Sequence, residues 1–169
     1  LVKKSFLNPV KTFTTNAIGS INILEAVRNT EGNYPVLVMI TSDKVYKNNE
    51  WIWGYRENDY IGGDDPYSAS KGMAELAISS YISTYYSSNK DYKVAVARAG
   101  NVIGGGDWAP DRLIPDCIKA WSKNEIVNIR NPQSTRPWQH VLEPLSGYLL
   151  LALKLKQNKK INYQKYNFG

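Results

Sequence analysis

Two short, continuous apolar runs constrain the fold of this 169-residue chain more than any other feature. Val36–Ile40 reads VLVMI and residues 94–97 read VAVA, a pattern typical of strands buried on both faces of a parallel sheet. A helical pattern with its own Asn-Pro or Asp-Pro start signal precedes each run, over residues 8–28 and 66–86. Because helices alternate with buried strands, the sequence predicts an α/β fold with a doubly wound parallel sheet.

The second half of the chain predicts smaller elements around a glycine-rich loop. We expect a long loop over residues 51–65, the glycine-rich loop over 100–106, helices over 112–121 and 145–155, and a short strand over 126–129.

Composition excludes several classes of protein. With one Cys (Cys117) and one His (His140), the chain has neither an internal disulfide framework nor a Cys/His zinc site, and we expect no metal. Residues 1–85 hold 8 basic and 9 acidic residues, whereas residues 86–169 hold 13 and 6. The basic half indicates either a solvated surface or a site for an anion such as a phosphorylated ligand. No nucleic-acid motif is present, and no apolar run approaches the roughly 20 residues of a membrane helix, so neither partner is expected.

Candidate catalytic side chains converge on one edge of the predicted sheet. The strand that ends at Ile40 delivers Ser42, Asp43 and Lys44 to its carboxyl edge. The helix that begins at residue 66 starts from the same edge, with Tyr67 and Lys71 in its first two turns. This edge is where open α/β sheets bind their ligands, so the sequence predicts an active site there.

The spacing of these residues indicates proton transfer. Tyr67 and Lys71 are four residues apart, on one helical face, and a cationic Lys near a phenol is expected to lower the pKa of that phenol. Such a tyrosine exchanges a proton with a substrate hydroxyl near neutral pH, and the Ser42 hydroxyl would hold the same oxygen. Asp43 and Lys44 form either a second acid and base or only an ion pair at a strand end.

The motifs resemble those of the extended short-chain dehydrogenase/reductase family. Ser42, the Tyr67–Lys71 segment YSASK and the loop RAGNVIG at residues 98–104 resemble its Ser/Tyr/Lys site and the loop after the next strand. Within the family, the longer motifs are similar to the CDP-glucose branch of the nucleotide-sugar 4,6-dehydratases: TSDKVY at 41–46, WGYREND at 53–59, GGGDW at 104–108 and RPWQHVLEPLSGY at 136–148. Asp43-Lys44 stands where dehydratases of the dTDP-glucose type carry Asp-Glu.

The resemblance implies an NAD-dependent internal redox dehydration of CDP-glucose, in the synthesis of bacterial surface deoxysugars such as those of O-antigen. It implies that Tyr67, supported by Ser42 and Lys71, takes the proton of the sugar 4-hydroxyl. Asp43 would then act as the acid toward the departing 6-hydroxyl, and Lys44, which must be neutral to act, as the base at C5.

The resemblance also implies domains and binding partners. Residues 1–100 would be the second part of an NAD-binding, Rossmann-like domain that holds the catalytic residues, and residues 101–169 part of a smaller nucleotide-sugar-binding region, interleaved with the last Rossmann elements. Tyr67 and Lys71 would contact NAD, while Asn101, Arg112 and Arg136 would bind the diphosphate of the nucleotide sugar. The helices over residues 8–28 and 66–86 are similar to those of a four-helix dimer interface, so we expect a cytoplasmic homodimer.

Alternatives remain at this point. The chain could belong to another nucleotide-sugar enzyme of the same family, such as an epimerase, which needs no acid and base to eliminate the 6-hydroxyl. It could also be a non-catalytic protein of this fold. In the family, a glycine-rich NAD-binding segment lies near the start of the full chain, so we expect this sequence to be an internal segment that lacks it.

Overall fold

A computed structural model describes residues 2–89, 91–157 and 159–169. In the first part of the chain, helices lead into each of two strands: α1 (Val2–Leu7), α2 (Pro9–Phe13), α3 (Gly19–Arg28), β1 (Val36–Ile40), α4 (Pro66–Tyr81) and β2 (Lys93–Ala99). A π-helical turn, Thr14–Ile18, joins α2 to α3, and a second one, Ile82–Tyr86, continues α4. The two long helices and the two strands confirm the predicted α/β order.

The second part adds shorter strands and two helices: β3 (Val102–Ile103), α5 (Leu113–Trp121), β4 (Gln139–His140), α6 (Leu142–Gln157) and β5 (Lys165–Phe168). The helices α5 and α6 confirm the predictions for residues 112–121 and 145–155. The strand predicted over residues 126–129 is wrong, because these residues pair with no strand in the described part of the chain and Ile126 is 96% exposed. The segment β5 was not predicted.

The main sheet is parallel, with strand order β1-β2-β5. Strand β1 pairs with β2 from Val36 opposite Lys93 to Ile40 opposite Ala97, and β2 pairs with β5 up to Ala99 opposite Phe168. The strands β3 and β4 form a separate two-stranded parallel sheet. All three strands of the main sheet therefore end at the same edge.

Helices cover both faces of the sheet, as a doubly wound arrangement requires. On one face, residues of α3 and α4 pack with β2 around Leu24, Ile78 and Val94, which are fully buried. On the other face, Leu151 and Leu155 of α6 pack on the alanines of β2. The prediction that β1 is also buried on both faces is only partly confirmed, because Ile40 at the end of this strand is 52% exposed.

Local signals set the start of α4 but not that of α2. The Asp65 carboxylate accepts hydrogen bonds from the backbone N–H groups of Tyr67 and Ser68, at 2.9 and 3.0 Å, so it caps α4 as predicted. Asn8 was predicted to cap the earlier helix, but its side chain makes no capping hydrogen bond. Within the described residues, no helix combines the length and the apolar character needed to cross a bilayer.

Candidate active site

A cleft of about 980 Å³ opens at the carboxyl edge of the sheet. Pairing between the strands continues one residue past β1, where the Thr41 N–H donates to the Ala97 carbonyl at 2.9 Å, so Ser42 emerges directly into the cleft. Every residue predicted for the site lines this cleft except Lys71. The topological argument therefore brings together residues that lie far apart in the sequence.

Ser42 begins a 3₁₀ turn, Asp43–Val45, that fixes three polar side chains at the cleft wall. The Ser42 hydroxyl donates to Asp43 Oδ1 at 2.9 Å and accepts from the Lys44 backbone N–H at 3.3 Å. The Lys44 Nζ lies 3.3 Å from the same Asp43 oxygen and 3.5 Å from Asn101 Oδ1. Asp43 and Lys44 are therefore an ion pair, and both face the cleft.

Tyr67 lies in the first turn of α4, half-buried beside Ser42. Burial raises the pKa of its phenol, and the nearby Asp43 adds to this, while a hydrogen bond with Ser42 and the charge of Arg112 act in the opposite direction. The prediction that Lys71 lowers the pKa of Tyr67 is wrong for this arrangement, because burial dominates.

Lys71 is half-buried one helical turn beyond Tyr67 and does not line the cleft. Burial alone lowers the pKa of its ammonium group. Among the described residues it makes no hydrogen bond or ion pair. Its three N–H donors are thus available to a ligand that reaches this side of α4.

The three residues predicted to bind a diphosphate line the cleft from different loops. Asn101 follows β2 and contacts Lys44, as described above. Arg112 immediately precedes α5, with its Nε 3.9 Å from Asp107. Arg136 is exposed and donates to the neighbouring Thr135 carbonyl at 2.6 Å. Two guanidinium groups and one amide therefore face a single cavity, which is a suitable set of donors for phosphate oxygens.

Two other features bear on metal and acid–base chemistry. The described residues contain no group of three or more His, Cys, Asp or Glu placed to hold a metal ion. The Nδ1 of His140 accepts from the Leu142 backbone N–H at 3.3 Å, so it contributes to the start of α6.

Sequence reasoning missed a buried cluster directly beneath the site. Glu75, on α4, accepts hydrogen bonds from the Thr41 hydroxyl and from the guanidinium of Arg98. The signals that could have revealed it are an arginine at the end of an otherwise apolar strand and a glutamate at helical spacing from Tyr67 and Lys71.

A sequence model of the GDP-mannose 4,6-dehydratase family matches residues 1–166. The chain belongs to this family. Over its whole length it is 50% identical to the CDP-glucose 4,6-dehydratase of Salmonella typhimurium, and it covers 48% of that protein. A UDP-glucose 4-epimerase of Mycoplasma genitalium is 25% identical over 99% of this chain and 52% of its own length. The chain thus spans about half the length of these relatives.

Solved structures of nucleotide-sugar enzymes share the fold. The UDP-N-acetylglucosamine 4-epimerase of Methanobrevibacter ruminantium superposes over 100% of this chain and 51% of its own, with a TM-score of 0.82 at 23% identity. A dTDP-glucose 4,6-dehydratase of Streptomyces venezuelae, solved with NAD bound, superposes over 100% of this chain and 48% of its own, with a TM-score of 0.80 at 20% identity. Both support the assignment of a Rossmann-like α/β fold.

Proposed function

We propose that the full-length protein with this sequence is a CDP-glucose 4,6-dehydratase, which converts CDP-glucose to CDP-4-dehydro-6-deoxyglucose and water. One observation carries the proposal: Ser42, Asp43, Lys44 and Tyr67 line one cleft, and hydrogen bonds join the first three of them. The 50% identity to a CDP-glucose 4,6-dehydratase supports the choice of substrate.

Tyr67 and Ser42 serve the oxidation at C4 of the sugar. Tyr67, as the phenolate, accepts the proton that leaves the 4-hydroxyl, and the Ser42 hydroxyl, which lines the same cleft, holds the substrate oxygen in line. The charge of Arg112 favours the phenolate that this step needs. A ketone at C4 then makes the proton on C5 acidic.

Asp43 and Lys44 serve the elimination across C5 and C6. Lys44, as a neutral amine, removes the C5 proton, and Asp43, as a carboxylic acid, protonates the departing 6-hydroxyl, which leaves as water. Lys44 then returns its proton to C5 when the hydride reaches C6, and the proton that Tyr67 took from the 4-hydroxyl balances the one that Asp43 gave to the departing water. An epimerase has no elimination step and would not need this pair.

The donor set on α4 fits NAD. The Lys71 ammonium and the Tyr67 hydroxyl, one helical turn apart on α4, would hold NAD through their N–H and O–H groups. When bound, NAD would accept the hydride from C4 and return it to C6, so it would not be consumed. In this proposal, residues 1–100 belong to the NAD-binding domain, and residues 101–169 contribute part of the nucleotide-sugar site.

Asn101, Arg112 and Arg136 hold the diphosphate of the substrate. They line the same cleft as the catalytic set, and all three follow β2 in the sequence. Guanidinium groups bind phosphate oxygens through paired N–H donors, so loss of Arg136 is expected to raise KM more than it lowers kcat. Loss of Arg112 should lower kcat as well, because its charge favours the Tyr67 phenolate.

The test is a product assay on purified full-length protein with NAD and CDP-glucose, in which mass spectrometry follows the loss of water. Tyr67→Phe should lower kcat by at least about a hundredfold while leaving CDP binding nearly intact. The matched control is Tyr60→Phe, because Tyr60 is 83% exposed and does not line the cleft. Simple inversion at C4 would identify an epimerase, and binding without any turnover would identify a non-catalytic protein.

We further propose that the protein acts as a homodimer, in a cytoplasmic step of bacterial surface-deoxysugar synthesis. An apolar patch on α3 and α4 supports the dimer: Ile23, Met73 and Leu76 are 54%, 44% and 64% exposed. A second copy of the same two helices would bury this patch in a four-helix interface. Light scattering should give twice the monomer mass for the wild-type protein and the monomer mass for Leu76→Asp.

A further inference from the structure

A cluster of three buried polar residues, the Glu75 cluster (Thr41, Glu75 and Arg98), lies beneath the cleft. The Thr41 hydroxyl donates to Glu75 Oε1 at 2.6 Å, and Arg98 Nε donates to the same oxygen at 2.7 Å. A second N–H of Arg98 donates to Glu75 Oε2. The exposed fractions of Thr41, Glu75 and Arg98 are 8%, 0% and 1%, so these contacts are shielded from water.

The Glu75 cluster joins the two elements that carry the proton-transfer residues. Thr41 immediately precedes Ser42 at the end of β1, and Glu75 lies two helical turns beyond Tyr67 on α4. The Thr41–Glu75 hydrogen bond therefore spans from the backbone that holds Ser42 to the helix that holds Tyr67. Charge-assisted hydrogen bonds of this kind are short and strong when water is excluded.

The carboxylate that accepts from Thr41 is itself held in place. Arg98 also donates to the Tyr46 hydroxyl at 2.6 Å and to the Glu57 carbonyl at 3.0 Å, and its guanidinium lies 4.7 Å from the centre of the Tyr46 ring. Arg98 is thus fixed from several directions, and the Lys165 ammonium lies 4.0 Å from Glu75 Oε2, so two cations hold the carboxylate in place. The hydrogen bond to Thr41 thus acts on a rigid acceptor.

We propose that Thr41 is a positioning residue for the reaction, and that its hydroxyl, held by Glu75, sets the distance between Ser42 and Tyr67. This inference rests on the proposed function and deepens it. Thr41 lines the cleft wall beside Ser42, but the role assigned to it is exerted through its neighbour. A small misplacement of catalytic groups is costly for kcat and has little effect on substrate affinity.

The test compares Thr41→Val with Thr41→Ser in the full-length protein. Valine keeps the shape but removes the hydroxyl, so kcat for CDP-glucose should fall on the order of tenfold with KM unchanged. Serine keeps the hydroxyl, so Thr41→Ser should recover most of the lost kcat. The matched control is Thr30→Val, because the Thr30 hydroxyl bonds only the Ala26 carbonyl at an exposed helix end. A kcat within twofold of wild type in Thr41→Val, or no recovery in Thr41→Ser, would overturn the proposal.

A second readout separates this inference from the proposed function. If Tyr67→Phe abolishes turnover but Thr41→Val does not alter it, only the positioning role fails. If the wild-type protein makes no product, the proposed function fails, and the titration of Tyr67, followed by NMR of ¹³C-labelled tyrosine, still tests the positioning.

The positioning role predicts the direction in which the pKa of Tyr67 changes in Thr41→Val. The hydrogen bond with Ser42 acts to lower the pKa of Tyr67, so a Ser42 displaced by Thr41→Val should raise that pKa further above its ordinary value. The charged groups that face Tyr67, namely Asp43, Asp65 and Arg112, are unchanged in this variant. An unaltered Tyr67 titration would count against the positioning role in either case.

Discussion

Replacing Glu75 with glutamine is expected to lower the free energy of unfolding by about 3–5 kcal/mol. The side chains of Glu75 and Arg98 are both 0% exposed, so the guanidinium loses its counter-charge with no water to replace it. Arg98 remains charged under all conditions in which the protein folds. The variant therefore buries an uncompensated cation.

The magnitude follows from the contacts that are lost. The glutamine carbonyl can still accept from Thr41 or from one N–H of Arg98, but its NH₂ group then faces the other guanidinium N–H. One charge-assisted hydrogen bond contributes about 1.5–3 kcal/mol, and the unpaired buried charge raises the cost to about 3–5 kcal/mol. Because a protein of this kind is stable by only about 5–15 kcal/mol, the loss is a large fraction of the total.

Urea unfolding of the full-length protein, followed by tryptophan fluorescence, measures this loss. The exposed pair formed by Glu25 and Arg28, whose side chains are 37% and 38% exposed, provides the matched control. Glu25→Gln makes the same chemical change where water solvates the remaining cation, so its unfolding midpoint should move far less. The double variant Glu75→Gln/Arg98→Met should be less destabilised than the sum of its single variants. A loss below about 1 kcal/mol for Glu75→Gln would refute the reasoning.

Three further outcomes follow from local geometry. Gly63→Ala should lower the free energy of unfolding in urea by about 1–3 kcal/mol, because the added Cβ would clash with the Ala69 backbone nitrogen in the first turn of α4. The control Gly54→Ala should leave the free energy of unfolding unchanged, because the added Cβ meets nothing within 4 Å. Burial raises the pKa of Tyr86 to about 12, so NMR of ¹³C-labelled tyrosine should show this phenol protonated at pH 11. The stability that the buried neutral phenol contributes should be complete below pH 10 and be lost as the pH rises through 12. The hydrogen bond from Arg28 lowers the pKa of Glu25 to about 2, so NMR should show this carboxyl ionised at pH 3, whereas in Arg28→Met it should titrate nearer 4.5. Because water screens this exposed pair, the stability lost as the pH falls below 4.5 should be small.

The main sheet could be predicted as far as its strands carry their own hydrophobic pattern. Strand β1 and residues 94–97 of β2 are continuous apolar runs, and the Asp65 cap marks the start of α4 with a local hydrogen bond. Strand β5 reads KYNF, which has no such pattern, and it forms because β2 offers a pairing edge and Phe168 packs beneath α6. Residues 126–129 are the opposite case: their apolar pattern predicts a strand, but they pair with no strand in the described part of the chain.

The site could be predicted in its location but not in its energetics. Parallel strands that end at one edge bring Ser42 and Tyr67 to the same edge whatever the details of packing, so the order of strands and helices is enough to predict that the two residues lie close together. The pKa of Tyr67 depends on how deeply the phenol is buried, which no spacing reveals. The Glu75 cluster likewise exists only because three separate elements exclude water from one point.

The ion pair between Asp43 and Lys44 and the proposed acid–base pair are two protonation states of one arrangement. With the proton on Lys44, the two groups are an ammonium and a carboxylate 3.3 Å apart, and their side chains are 29% and 33% exposed to water that stabilises both charges. Moving that proton across the same contact gives a carboxylic acid and a neutral amine, the forms that the elimination requires. A sugar that fills the cleft would displace this water from around both groups. In the proposed mechanism, the observed ion pair holds the proton donor and the proton acceptor in contact before the substrate arrives.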